Sequence, residues 1–250
     1  MNEDRSYSIF EKIRQYIRFL ALAKNRHSVH SPFVFDFIEN VLRKNYTDVE
    51  VELLRKELLN DKTMINIKDY GTGKDRVIST SNFAKNSLKK RKEAQLIARI
   101  TKYFDFKRVL ELGTSLGVTS AYIARTNTNL RLITIEGSGA VLERAKELWT
   151  DLNIKNIIAF NGSFDSILPN LLDETEEKTL FFIDGNHSYS ATLEYFNRIS
   201  ENIHPNSILL IDDIYWSSGM KDAWKEMCMN EKVSLSIDLF EMGHAVRING

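Results

Sequence analysis

Two short stretches of the chain place carboxylates where they could hold a cation. Ile183-Asp184-Gly185-Asn186-His187 and Ile211-Asp212-Asp213 each close an apolar run, Leu180 to Ile183 and Ile208 to Ile211. Such runs suit strands of a parallel sheet covered on both faces, whose carboxyl ends lie side by side. Carboxylates converging there repel one another and take up protons unless a cation joins them. A hard divalent ion, most naturally Mg²⁺, resolves this, with waters and substrate oxygens completing six-fold oxygen coordination. Asp184, Asp212 and Asp213 are the expected metal ligands. Adjacent residues on a strand face opposite ways, so Asp213 joins the ion only if it lies past the strand's end. Its plainer reading is a cap or loop carboxylate.

A second constellation runs from Arg108 to Ser120: apolar Val109, Leu110 and Leu112, a turn from Gly113 to Gly117, and a helix start at Val118. A strand that passes through glycines into a helix holds nucleotide-like ligands, because glycine admits the ligand to the backbone and the new helix offers unpaired N–H groups. Glu136, 23 residues after Gly113, can take both hydroxyls of a ribose. To this point NAD and S-adenosylmethionine are equal candidates. Glu111 shifts the balance, since a carboxylate there repels a pyrophosphate and suits the amino group of a methionine tail.

The elements that must position these residues follow from periodicity. Strands are predicted at 107–112, 131–136, 156–160, 179–184 and 207–212, with helices starting near Val118, Gly139, Ser163, Ser190 and Ser217. Val233, Leu235, Ile237 and Leu239 alternate with polar residues, and 244–248 can return antiparallel after Gly243, so the parallel units end in a hairpin. Residues 1–105 read as helical. Ile9, Ile13, Tyr16, Ile17 and Leu20 recur at helical spacing; Ser31-Pro32 is an N-cap with a first-turn proline; Thr47 and Glu50 form a capping box; Leu96, Ile97, Ile100, Tyr103 and Phe104 face inward. Two domains are expected: a helical region and substrate cap at 1–105, and a cofactor-binding domain at 106–250.

The bulk numbers are those of an ordinary globular chain. Lys+Arg and Asp+Glu both number 34, which speaks against a general nucleic-acid or anionic-membrane binder. The lone cysteine, Cys228, allows no intrachain disulfide and fits a reducing cytosol. No stretch reaches the ~20 apolar residues of a membrane span, and the polar start is not a signal peptide. The expected location is cytoplasmic.

Glu111-Leu112-Gly113-Thr114-Ser115-Leu116-Gly117, Ile135-Glu136-Gly137, Gly162-Ser163 and Phe182-Ile183-Asp184 resemble, in order and spacing, the motifs of class I S-adenosylmethionine-dependent methyltransferases. The catechol O-methyltransferase-like branch is the most similar, over roughly residues 105–250; the first 100 residues are similar to a helical extension of uncharacterised bacterial members. The resemblance implies an α/β, Rossmann-like methyltransferase sheet, mostly parallel with a closing antiparallel hairpin, behind an N-terminal helical extension. Glu111, Gly113, Thr114, Ser115 and Gly117 would approach the methionine moiety, and Thr119 its carboxylate. Glu136 with Gly137 would hold the ribose, and Gly162, Ser163 and Phe164 would border the adenine. Ser115 stands where many members carry glycine. Metal-dependent members place an Asp after the fourth strand, which also borders the cofactor, and Asp-Asn or Asp-Asp after the fifth; here these are Asp184 and the Asp212-Asp213 pair. His187 stands where the branch has a lysine base and some sugar-directed relatives a histidine. A neutral imidazole there could take the acceptor's proton as the methyl moves, so Asp184 and His187 are the catalytic candidates.

The implied activity is divalent-metal-assisted O-methylation of a small hydroxylated molecule. Metal-independent transfer to nitrogen or another acceptor, a non-catalytic S-adenosylmethionine-binding protein and an NAD-dependent oxidoreductase are the rivals. The implied partner is a small-molecule methyl acceptor, with a homodimer left open. Among weaker signals, His27 and His30 flank a loop and read as structural or as part of a substrate lid. Asp69-Tyr70-Gly71-Thr72-Gly73-Lys74 imitates a glycine motif without a strand–helix frame and reads as a mobile cover. Lys89-Lys90-Arg91-Lys92 reads as a solvated face, and Tyr215 and Trp216 either wall the acceptor pocket or pack as core.

Overall fold

The computed structural model describes residues 4–23, 30–67, 75–172, 177–201 and 203–240, and the backbone alone of 244–248. His27, the 69–74 glycine stretch and Gly243 lie outside the described residues. The chain divides into two compact units, Glu39–Pro169 and Met1–Ile38 with Asn170–Gly250.

Two helices open the chain. α1 (Ile9–Leu22) starts at a capping box, in which the Ser8 hydroxyl accepts from Glu11 N and the Glu11 carboxylate accepts from Ser8 N. α2 (Pro32–Phe37) starts as the sequence predicts, with Ser31 Oγ accepting from Val34 N and Pro32 in the first turn, and runs on as a π-helical Ile38–Leu42. α1 is inverted relative to an ordinary surface helix. Its buried residue is Gln15, whose Oε1 accepts from Lys221 Nζ at 2.8 Å, while Ile9, Ile13, Ile17 and Leu20 are each at least 50% exposed.

In the unit Glu39–Pro169, α3 (Val49–Asn60) is capped by Asp48, which accepts from Val51 N at 3.2 Å. The predicted cap, Thr47, is one residue early; its hydroxyl instead accepts from Arg91 and Gln95. An antiparallel pair follows, β1 (Met64–Ile67) and β2 (Arg76–Ser79), where the sequence reading has no strand. Ile65 and Ile67 are buried and alternate with exposed Met64 and Asn66, a period-2 signal only four residues long. Helices α4 (Thr80–Ser87) and α5 (Arg91–Tyr103) lead into β3 (Arg108–Leu112), α6 (Val118–Ala124), β4 (Arg131–Glu136), α7 (Gly139–Asp151), β5 (Ile157–Asn161) and α8 (Phe164–Leu172). Ile97 and Ile100 of α5 face inward, whereas Tyr103 is exposed. β3 pairs in parallel with β4, and β4 with β5. One apolar cluster joins Val51, Leu58, Ile65, Ile67, Ala94 and Ala98 to Leu116, Tyr122, Ala145 and Trp149, so the elements before residue 105 and those after it here share a core.

The other unit carries β6 (Thr179–Ile183) and β7 (Ile208–Ile211), parallel and buried at every position. α9 (Tyr189–Glu201) joins them, and α10 (Ser218–Met229) follows β7. β8 (Val233–Ile237) and β9 (His244–Ile248) close the unit antiparallel, β9 lying between β7 and β8. Continuous apolar runs became doubly covered strands, and the alternating run became a half-exposed edge strand. Tyr7 N donates to Trp216 O at 2.7 Å and Ser6 bridges Ser217, which fastens the residues before α1 to the loop after β7.

Candidate active site

Because β3, β4 and β5 are parallel and in register, their carboxyl ends lie together, and with them the three predicted cofactor segments. Leu112 pairs with Ile135, and Glu136 with Asn161. The turn after β3 is set by Gly113 (φ 105°), Ser115 (φ 50°) and Gly117 (φ 75°). Gly113 N and Thr114 N donate to Ile135 O at 3.0 and 3.3 Å, which tethers this turn to β4. Gly117 owes its type to packing. A Cβ there would meet Trp149 Nε1 at 2.6 Å and Ala145 Cβ at 2.8 Å, and the Trp149 indole donates to Gly117 O. The sequence signal for this glycine is a ligand-approach signal; the partner that demands it is 32 residues away on α7.

Glu111 is fully buried. Its Oε2 accepts from Ser120 Oγ at 2.5 Å and Thr134 Oγ1 at 2.7 Å, and Thr134 shares a 2.6 Å bond with Thr114. The carboxylate therefore ties the strand, the helix and the neighbouring strand together from beneath the turn. Thr119 is buried on the first turn of α6. Glu136 is half-buried and accepts two backbone donors at 2.9 Å, Ser115 N through one oxygen and Ser138 N through the other. It bridges the turns after β3 and β4, including the one that holds Gly137. Gly162 N donates to Glu136 O at 3.0 Å, while Asn161 Nδ2 donates to the carbonyls of Glu136 and Gly137. Asn161 was missed by sequence reasoning; an amide closing a strand beside a glycine was its only signal. Ser163 caps α8, its carbonyl accepting from Ile167 N and its hydroxyl meeting Ser166 Oγ, and Phe164 is half-buried.

In the other unit, Ile183 pairs with Ile211, so Asp184 and Asp212 leave adjacent strand ends in step. Asp212 N donates to Ile183 O at 3.0 Å, and Asp212 is 2% exposed. Asp184, His187 and Asp212 each bring one ligand atom within 4.8 Å of the others, spacing that a single cation could bridge. β7 ends at Ile211, so Asp213 lies past the strand, in the left-handed region at φ 54°. That turn swings its carboxylate to His187, with Oδ2 3.8 Å from Nε2; Asp184 Oδ1 is 3.9 Å from the same nitrogen. Asp213 is thus placed beside the imidazole, and His187 beside the aspartates. Both gaps exceed hydrogen-bond length. The donor set of two carboxylates and one imidazole suits a divalent cation with sites left for water and substrate.

The Trp216 ring lies 6.3 Å from that of His187, and Lys12 Nζ lies 4.4 Å over the Trp216 ring. Tyr215 Oη donates to Asp238 Oδ2 at 2.6 Å; burial first, then this bond, pushes its pKa upward. Burial also pushes the Cys228 thiol up, away from thiolate reactivity. His30 is exposed. Among the described residues no helix is long and apolar enough to cross a membrane.

Residues 110–214 match a family model described as "Methyltransferase domain". No curated protein sequence matches the chain. Among solved structures it is similar to the methyltransferase PaMTH1 of Podospora anserina bound to SAH, at 13% identity over 92% of this chain and 100% of that one, TM-score 0.64. An O-methyltransferase from Bacillus cereus in complex with SAH aligns at 15% identity over 87% and 97%, TM-score 0.61. The O-methyltransferase TomG from Streptomyces achromogenes, involved in tomaymycin synthesis and in complex with SAM, aligns at 18% identity over 66% and 82%, TM-score 0.56. At these identities the likeness is one of fold.

Proposed function

We propose that this chain, whose residues 110–214 match a methyltransferase-domain family model, moves the methyl group of S-adenosylmethionine to a hydroxyl oxygen of a small molecule, assisted by a divalent cation. The observation that carries the reading is the meeting of Asp184, His187 and Asp212 at two adjacent strand ends.

In this reading Glu136 accepts the ribose hydroxyls, exchanging its present backbone donors for them, while the 113–117 turn and Thr119 receive the methionine end. Gly162, Ser163 and Phe164 border the adenine. Glu111 holds the turn in shape through Ser120 and Thr134. Asp184 and Asp212 would hold the cation, with His187 or Asp213 completing the set. A bound divalent cation supplies a lowered pKa to the acceptor's hydroxyl. His187, where it is not a ligand, accepts that proton at Nε2, and Asp184 and Asp213 stabilise the imidazolium that results. The protein's remaining share is alignment and exclusion of water.

Two measurements test this. S-adenosylhomocysteine should raise the melting temperature by mass action while NAD⁺ leaves it unchanged; the reverse result selects an oxidoreductase. Chelation should abolish turnover and spare cofactor binding, with Mg²⁺ or Mn²⁺ restoring activity. Full turnover in excess chelator would leave a metal-free methyltransferase, and no product from any acceptor a binding protein.

A further inference from the structure

An open-sided cavity of about 490 Å³ lies between α1 and the end of the β8 segment, lined by Lys12, Ile13, Tyr16, Phe19, Leu239 and Phe240. That volume is in the range of small-ligand sites. Five of its six liners are apolar or aromatic, and the sixth is a cation. Its wall is built rather than accidental. Phe240 sits at φ 65°, a strained state for an aromatic residue, and is held there by its N–H donating to Asp238 Oδ1 at 2.9 Å. The other oxygen of Asp238 takes the Tyr215 hydroxyl, and the Tyr215 ring stacks on Phe240 at 4.8 Å. One carboxylate thus fixes the cavity wall to the loop that begins with Asp212 and Asp213.

The cationic corner of the cavity is linked to the Asp184–His187–Asp212 group through one ring, Trp216. Lys12 Nζ lies over Trp216, and Trp216 lies beside His187. No carboxylate among the described residues pairs with Lys12; the neighbouring Glu11 is engaged by Arg5 and Ser8. We propose that this cavity holds the non-reacting body of the methyl acceptor, an apolar, ring-bearing molecule that carries one acidic group, and that Lys12 selects for that group. The assignment to the acceptor rests on the methyltransferase reading above. The ammonium offers three donors to a carboxylate, sulfonate or phosphate alike, and the aromatic walls suit a flat apolar body.

Two dyes test the site directly: 8-anilinonaphthalene-1-sulfonate, apolar and anionic, and N-phenyl-1-naphthylamine, its uncharged relative. Lys12→Gln should weaken the sulfonate dye about three- to fivefold, the range of a solvent-accessible ion pair, and leave the neutral dye unchanged. Phe240→Ala should weaken both. Trp216→Phe, which removes one of the three tryptophans, should remove the largest share of energy transfer to the bound sulfonate dye. The proposal is overturned if Lys12→Gln leaves the sulfonate dye's affinity unchanged, weakens both dyes alike, or if Trp216→Phe does not reduce the transfer. Calorimetry with S-adenosylhomocysteine on the same samples separates the parent reading. A wild-type protein that binds none sinks that reading and the acceptor assignment together, whereas normal binding with insensitive dyes sinks the cavity alone.

Discussion

The carboxyl ends of β3–β5 and those of β6–β7 solve opposite problems. At the first, protein groups engage the polar side chains: Glu111 Oε2 takes two hydroxyls, Glu136 takes two backbone N–H groups, and Thr114 meets Thr134. At the second, two aspartates and an imidazole each bring one ligand atom within 4.8 Å of the others, near enough to share an ion. A cradle shaped by its own hydrogen bonds is largely formed before a ligand arrives, so damage to it reaches folding and cofactor binding together. Two carboxylates brought together repel one another and would be settled by a cation from outside, so in the proposed reading damage to them is damage to chemistry.

The contrast can be broken most sharply at Asp212. Asp212→Asn should lower kcat/KM by roughly a thousandfold, about 4 kcal/mol, while S-adenosylhomocysteine affinity by calorimetry and the melting temperature stay near wild type. A large loss of cofactor affinity would place Asp212 in cofactor binding instead of the chemical step. Gly117→Ala should do the reverse. With a Cβ 2.6 Å from the Trp149 indole and a positive φ, it should cost about 2–3 kcal/mol of stability, read as a melting temperature lower by roughly 5–10 °C, with cofactor affinity falling alongside. Glu136→Gln sharpens the first half of the comparison. It should weaken S-adenosylhomocysteine about tenfold, near 1.4 kcal/mol, without changing metal affinity as followed by Mn²⁺ titration.

The smallest effect concerns pH. Tyr122, in the core of the first unit, has its pKa pushed up to about 12, by burial first and then by the hydrogen bond it donates to Glu52. Its folded pKa lies above the unfolded value near 10. The protonated hydroxyl therefore contributes stability that is whole below pH ~10 and lost as pH rises toward 12. Denaturation midpoints measured from pH 9 to 12 should fall in the wild type and fall less in Tyr122→Phe; equal slopes would remove Tyr122 from the account.

Much of this was legible in the chain. All five parallel strands and the starts of the helices that follow them were placed within a residue or two, because apolar runs, turn glycines and helix caps agree locally. Listing the residues at strand ends then brought Glu136, Gly162 and Asp184 into view without any contact information. The misses share a cause, which is a partner distant in sequence. The β1–β2 pair has four-residue strands, and its reason to exist is the cluster formed with α7. Thr47 resembles a helix cap until Arg91 and Gln95 claim its hydroxyl. The apolar stripe of α1 promises an inward face, and Gln15 takes that place because Lys221 meets it there.

By itself, the sequence determined which residues sit at the tips of the strands, since period and turn chemistry are properties of neighbours along the chain. It also set the charge of those tips. The tertiary structure alone decided what each tip does. It closed Glu111 against Ser120 and Thr134, turned Asp213 toward His187 through a left-handed backbone, and made Gly117 a packing requirement of Trp149. Those outcomes depend on distances across the fold, which local spacing does not encode.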